Sequence, residues 1–251
     1  MKLFWPSDQI YMWLHLSNWK SAYSYDTYRL CPQIWSLAIE EQFYLVWPFV
    51  ILLCSDTLLL YILPVLMASS FGSRNLGSVQ AFNAAHKTFI YNLTPFRIEP
   101  LMAGAFIALM GRRGVRLNPI YLAIPGLIIL ASVLCAAQSM AFNSGPMTRF
   151  GYSGLELIFG AVVVVAVQGC SFLRWRVWQE FGKYSYGIYL LHLFVARLLS
   201  LLSHKLRYHS SVVVFVVGAS VSYLVARVSW VFIETPFLRM KDRISSARSS
   251  H

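Results

Sequence analysis

The sequence predicts an all-α fold, a polytopic transmembrane helical bundle of about seven helices, and three observations carry that prediction. The 251 residues are 57% hydrophobic and only 12% charged, with mean hydropathy +0.57, whereas a soluble domain of this length keeps a charged surface. Most of the apolar residues fall into runs near the ~20 residues that cross a hydrocarbon core of ~30 Å. Lys and Arg collect in the links between those runs, the usual pattern of a membrane topology.

In chain order the runs predict helices at 35–54, 57–70, 95–111, 119–137, 152–170, 183–202 and 212–233. The second is the shortest and contains Pro64, so it reads as a brief kinked span or one that extends back through Ser55 and Asp56. Arg112, Arg113 and Arg116 crowd the link after the third. Arg174, Arg176 and Lys183 precede the sixth, and Arg239, Lys241, Arg243 and Arg248 follow the last. With about seven crossings these clusters share one side, which the excess of positive charge makes cytoplasmic. Residues 235–251 are then a cytoplasmic tail. The opposite connections are poorer in cations for their length: Arg149 alone between 138 and 151, Lys205 and Arg207 between 203 and 211, Arg74 and Lys87 across 71–94. Residues 1–34 are then an external segment. They contain no span and no apolar signal-peptide core, since Pro6, Ser7 and Asp8 soon follow Lys2. An odd number of further helices upstream is therefore expected.

The net charge of +11 does not point to nucleic acid, because the cations are scattered and no basic helix or aromatic-basic ladder tracks a phosphate backbone. Cys31, Cys54, Cys135 and Cys170 are far apart, three of them inside apolar runs. Neither a CxxC zinc site nor a disulfide framework is suggested, and buried inert thiols are expected.

Ionisable residues inside apolar runs are the candidate functional groups, since a charge at the centre of a membrane helix costs ~3 kcal/mol on insertion scales and more in simulations. WSLAIEEQFYLVWP, residues 35–48, contains the adjacent pair Glu40 and Glu41. On a helix Glu40, Phe43, Tyr44 and Trp47 share a face, with Glu41 ~100° round. The pair is either a buried site or two acids near a helix N-terminus, where they complement the dipole. Trp35, Tyr44 and Trp47 also suit a membrane interface. TPFRIEPLMAG, residues 94–104, brings Arg97 and Glu99 into the third run. Arg97 is either a snorkelling boundary cation or a fixed cation in a cavity, paired with a carboxylate or gripping an anion with its planar fork. Gly104 is expected to admit a neighbouring helix. GKYSYGIYLLHLFVARLL, residues 182–199, sets Ser185, Tyr189 and His192 near one face as a polar stripe. Here a helix–helix hydrogen bond competes with catalysis, and no metal-ligand spacing accompanies His192. Glu156, Arg227 and Glu234 add further intramembrane or boundary charges.

WSLAIEEQFYLVWP strongly resembles the WSLxxEEQFYLxWP motif of the acyltransferase 3 family of integral-membrane O-acyltransferases. TPFRIEPLMAGAFIA, GKYSYGIYLLHLFV and WVFIETPFLR resemble three further family motifs in the same order, covering residues 35–239. The resemblance implies transfer of an acyl group, typically acetyl, from acetyl-CoA as co-substrate with no bound cofactor, to a hydroxyl of an envelope carbohydrate. It implies membrane lipids, acyl-CoA and the carbohydrate acceptor as partners, and a bacterial inner (plasma) membrane location. Family members resemble a bundle of about ten helices whose first helix carries a basic residue and the His thought to be the base. That helix is not found before SNWKSAYSYD here. The chain is thus expected to be a single transmembrane acyltransferase domain lacking about three helices, inactive alone. Trp35, Glu40, Glu41, Tyr44, Arg97, Glu99 and His192 are the residues expected to line the substrate or acyl-donor cavity. The glutamates take a structural or acceptor-orienting role and Arg97 an anion-contacting one. A catalytically silent remnant and a carrier of lipid-linked sugar or acyl groups are the competing readings, the carrier lacking the paired half-helix breaks of transporter repeats.

Overall fold

A computed structural model describes residues 6–23, 33–86, 88–137, 141, 144–205 and 211–240. Cys31, Lys87, Arg207 and the whole of 241–251 lie outside the described residues. The described residues form helices and no strand, and six of the helices are long and apolar enough to cross a membrane. This is an all-α polytopic membrane protein. It forms two compact units, Met1–Arg29 with Ile34–Cys170, and Leu30–Gln33 with Ser171–His251.

In the first unit, α1 (Pro6–Trp13) and α2 (Ser17–Tyr23) precede α3 (Ile34–Leu53). The N-terminal segment is not a bare extension, because Ser17, Asn18, Ser21 and Ala22 of α2 are buried and Ser17 Oγ donates to the Ile34 carbonyl at 3.2 Å. Along α3 only Ala38 and Ile39 are buried, while Leu45, Leu52 and Leu53 are largely exposed. An apolar exposed surface is what lipid contact requires of such a helix.

The second span is longer than its apolar run. α4 (Asp56–Asn75) has 20 residues, enough for ~30 Å. Ser55 caps its start by accepting from Leu58 N at 3.2 Å and Asp56 complements the dipole. Its last turn winds on through FGSRN, and Arg74, expected in an external link, is buried at 1% exposure.

The third run, 95–111, is not one helix. It follows α5 (Gly77–His86) and α6 (Phe89–Asn92) and breaks at Ile98 into α7 (Thr94–Arg97) and α8 (Glu99–Arg112). Pro95 and Pro100 are the second residues of these two pieces, within the first turn, where a missing N–H is tolerated. Pro100 cannot donate to the Phe96 carbonyl. That carbonyl instead accepts from Arg74 Nη1 at 2.9 Å. With 14 residues, α8 is too short to span alone, yet it runs antiparallel to α4. Arg112 pairs with Asp56 at one end and Glu99 with Arg74 at the other. Between them Leu59, Leu63, Met102, Leu109 and Met110 form a buried core, against which Phe43, Trp47 and Val50 of α3 pack.

α9 (Ile120–Ala137) and α10 (Tyr152–Val167), the latter led in by a π-helical turn at Met147–Gly151, approach closely at two glycines. A Cβ on Gly126 would lie 2.8 Å from the Gly154 carbonyl oxygen, and one on Gly154 2.9 Å from Ile129 Cγ2. Small residues here let the backbones meet.

In the second unit, α11 (Arg176–Lys205) begins earlier than the run at 183–202. α12 (Ser211–Ser229) passes through a π-turn at Trp230–Glu234, and the span runs on to Met240, taking in the first residues of the expected tail. The two pack where a Cβ on Gly187 would lie 3.1 Å from Ala226 Cβ, with Tyr184 edge-on to Tyr223 and Trp230.

Candidate functional site

In the first unit the motifs at 35–48 and 94–104 come together, though not through the paired glutamates. Gln42, the residue after them, closes a ring of hydrogen bonds. Its Nε2 donates to Asn18 Oδ1 at 3.0 Å, Asn18 Nδ2 donates to Thr94 Oγ1 at 2.9 Å, and Thr94 Oγ1 donates to Gln42 Oε1 at 2.6 Å. Gln42 Nε2 also reaches the His15 carbonyl at 2.6 Å, and Asn18 Nδ2 the Asn92 carbonyl at 3.2 Å. Each side chain uses its donors and acceptors on the others, which strengthens such a ring in low dielectric. The ring ties α2, α3 and the start of α7, and so fixes the short helix that ends in Arg97.

Arg97 stands inside an aromatic enclosure. Its guanidinium carbon is 4.4 Å from the Tyr152 ring centroid, 5.1 Å from that of Tyr91 and 5.9 Å from that of Trp35. Trp35 leans on Tyr91 with centroids 4.6 Å apart. Ring faces hold a cation without using its N–H donors in conventional hydrogen bonds. Among the described residues Arg97 has neither a carboxylate partner nor a hydrogen bond. It faces a cavity of about 430 Å³ lined also by Tyr91, Gly104, Ile107, Tyr152 and Glu156. Gly104, expected to admit a neighbouring helix, meets nothing within 4 Å of a would-be Cβ; it widens this cavity instead.

Behind the cavity lies a buried polar knot that the sequence reading missed. Arg74 Nη2 donates to Ser153 Oγ at 2.7 Å, Nη1 reaches Ser70 Oγ at 3.4 Å, and the guanidinium pairs with Glu99. Ser153 Oγ donates to Glu99 Oε1 at 2.8 Å. Glu99 was expected at the cavity; it is buried at 6% exposure and committed to Arg74. One signal for Arg74 was legible: it stands four residues after Ser70 on a helix that did not have to end at residue 70.

A second cavity of about 640 Å³ is lined by Ile107, Gly111, Gly114, Arg116, Val164 and Gln168. The two cavities share Ile107 and follow the seam between α8 and α10. Arg97 marks one end and Arg116 the other. Gln168 Nε2 donates to the Leu117 carbonyl at 2.5 Å, closing α10 against the loop that carries Arg116.

Of the other expected residues, three lie on α3 and one in the second unit. Glu40 is half-buried and Glu41 exposed, and neither has a hydrogen bond or ion pair among the described residues. Tyr44 is 58% exposed and meets Phe43 edge-on. His192 belongs to the second unit, where its Nδ1 bonds the Tyr189 carbonyl at 2.7 Å. A carbonyl only accepts, so Nδ1 is the donor in this bond. Ser185 Oγ turns back to the Gly182 carbonyl at 2.8 Å, so the expected stripe is partly spent on its own helix. The motif at 182–195 instead meets the closing motif, with Lys183 over the Tyr184 and Trp230 rings. Among the described residues no three His, Cys, Asp or Glu side chains converge as a metal site requires.

The O-acetyltransferase OatA of Staphylococcus aureus strain NCTC 8325 / PS 47 is 27% identical over 251 residues, covering 91% of this chain, and its counterparts in strains COL and MRSA252 match equally. The chain spans 40% of the length of these relatives. No solved structure matches significantly. A family profile described as an acyltransferase domain matches residues 3–231, and the chain therefore belongs to the acyltransferase 3 family.

Proposed function

We propose that this chain provides the membrane part of an O-acyltransferase that moves an acyl group, typically acetyl from acetyl-CoA, to a hydroxyl of an envelope carbohydrate. The observation that supports this most is Arg97: a cation ringed by aromatics, without an anionic partner among the described residues, facing a cavity. A guanidinium so held presents planar donors to a phosphate, a carboxylate or a developing oxyanion. The α8–α10 seam adds a route. An elongated donor can lay its phosphates near Arg116 and its thioester near Arg97, a distance set by the ~21 Å of α8. Positive charge at Arg112, Arg113 and Arg116 favours the cytoplasm for that mouth. The C-terminus then lies in the cytoplasm and the protein in a bacterial inner membrane, with the Arg97 end toward the outer face. In this scheme Glu40, Glu41 and Tyr44 act on the acceptor side.

The test is acetyl-CoA binding to the purified chain in lipid nanodiscs, with acetyl transfer to carbohydrate followed on the same preparations. Arg97→Gln is expected to weaken acetyl-CoA binding by about tenfold or more, the ~1.4 kcal/mol or more of a charge-assisted hydrogen bond. Equal affinity in the variant, or no binding by the unaltered chain, would remove the donor site from this cavity.

A further inference from the structure

Glu156 stands where the Arg97 cavity meets the Arg74 knot. It lies one helical turn after Tyr152 on α10, lines the cavity and is only 9% exposed. Glu99 of the neighbouring helix spends its carboxyl group on Arg74 and Ser153. A carboxyl group buried without such partners is most stable with its proton on, and Glu156 is the one that lines the cavity. Glu156 Oε2 is buried and, among the described residues, receives no hydrogen bond.

The groups that act on Glu156 come from each neighbouring element: Glu99 of α8, Arg97 of α7 and Arg74 of α4, with Tyr91 of α6 and Tyr152 of α10 on the same cavity wall. α9 meets α10 through Gly126, Ile129 and Leu122, none of which titrates. If Glu156 gives up its proton, two guanidinium groups still balance two carboxylates. The cluster can therefore release and regain one proton without acquiring a net charge opposite to that of its cations.

We propose that Glu156 is the proton-transfer residue of this cavity, an inference that rests on the acyltransferase reading above. As the acceptor oxygen forms its bond to the acyl carbon and the C–S bond breaks, the Glu156 proton goes to the departing sulfur. The proton of the attacking hydroxyl then restores it. Ester and free thiol result, and Glu156 ends as it began. A glutamine keeps the shape and a donor N–H but has no proton to give.

Two measurements on the full chain in nanodiscs test this. Infrared difference spectroscopy between Glu156→Gln and the unaltered chain is expected to show loss of a protonated-carboxyl C=O band, which Glu41→Gln, removing an exposed carboxylate, retains. In the transfer assay with acetyl-CoA, run on the chain supplied with the upstream helices that the family resemblance implies, Glu156→Gln is expected to lose about 100-fold or more of the turnover with donor affinity kept within about twofold, as expected of a group that acts in the chemical step rather than in donor binding. Glu156→Asp is expected to regain part of the turnover with a displaced pH profile. A carboxyl band unchanged in Glu156→Gln overturns the protonated state of Glu156, and a Gln variant turning over like the unaltered chain overturns the catalytic role. Failure of the unaltered chain to bind acetyl-CoA would instead sink the donor-site reading, with the infrared result still deciding where the proton resides.

Discussion

Arg74 and Arg97 are two guanidinium groups on neighbouring elements of one unit, and they are held in opposite ways. Arg74 is sealed, with a carboxylate, two hydroxyls and a backbone carbonyl around it. Among the described residues Arg97 is held by ring faces, and it opens on a cavity. A cation whose donors are committed to protein is structural. One fixed by contacts that leave its donors unused is placed for something else.

The largest effect that could break this contrast is at Arg74. Arg74→Met leaves Glu99 buried without its cation and is expected to lower stability by about 3–5 kcal/mol, the usual result of removing one partner of a buried pair. Thermal unfolding in detergent reads it, and an unchanged midpoint would mean that Glu99 finds another counter-charge. The Gln42 ring comes next. Gln42→Leu strands the donors and acceptors of Asn18 and Thr94 and is expected to cost about 1–3 kcal/mol. Because the ring anchors α7, acetyl-CoA binding is expected to fall with it. A variant that loses stability but keeps full affinity would separate the ring from Arg97. The smallest stability effect is expected at Arg97 itself. Arg97→Gln should shift stability by less than about 1 kcal/mol, the loss of cation–π contacts, even as donor binding falls. A loss as large as that of Arg74→Met would place both cations in the same structural class.

The same contrast explains what could be read in advance. Arg97 and Glu99 stood out because they interrupt an apolar run, and Trp35 because it opens a motif. Arg74 did not, because FGSRN has the composition of a link and only the packing of α4 against α7, α8 and α10 draws it inward. Gln42 was overshadowed by its charged neighbours, although a neutral amide with two donors and an acceptor is better suited than a carboxylate to close a ring. Tyr44 shares a helix with Trp35, yet Trp35 leans on Tyr91 beside Arg97 while Tyr44 is exposed. The third helix was misread because periodicity does not register the absent N–H of Pro100.

By itself the sequence determined the class of solvent and the approximate places of the helices. It also determined the four motifs that carry the resemblance, since apolar run length and residue type are local properties. Only the tertiary structure decided which charges are neutralised and which remain available. It set Arg97 toward a cavity and Arg74 away from one, and it put Glu156 on the wall of that cavity. Neutralisation is a matter of distance between side chains on different helices, and no spacing along the chain encodes that distance until the helices have packed.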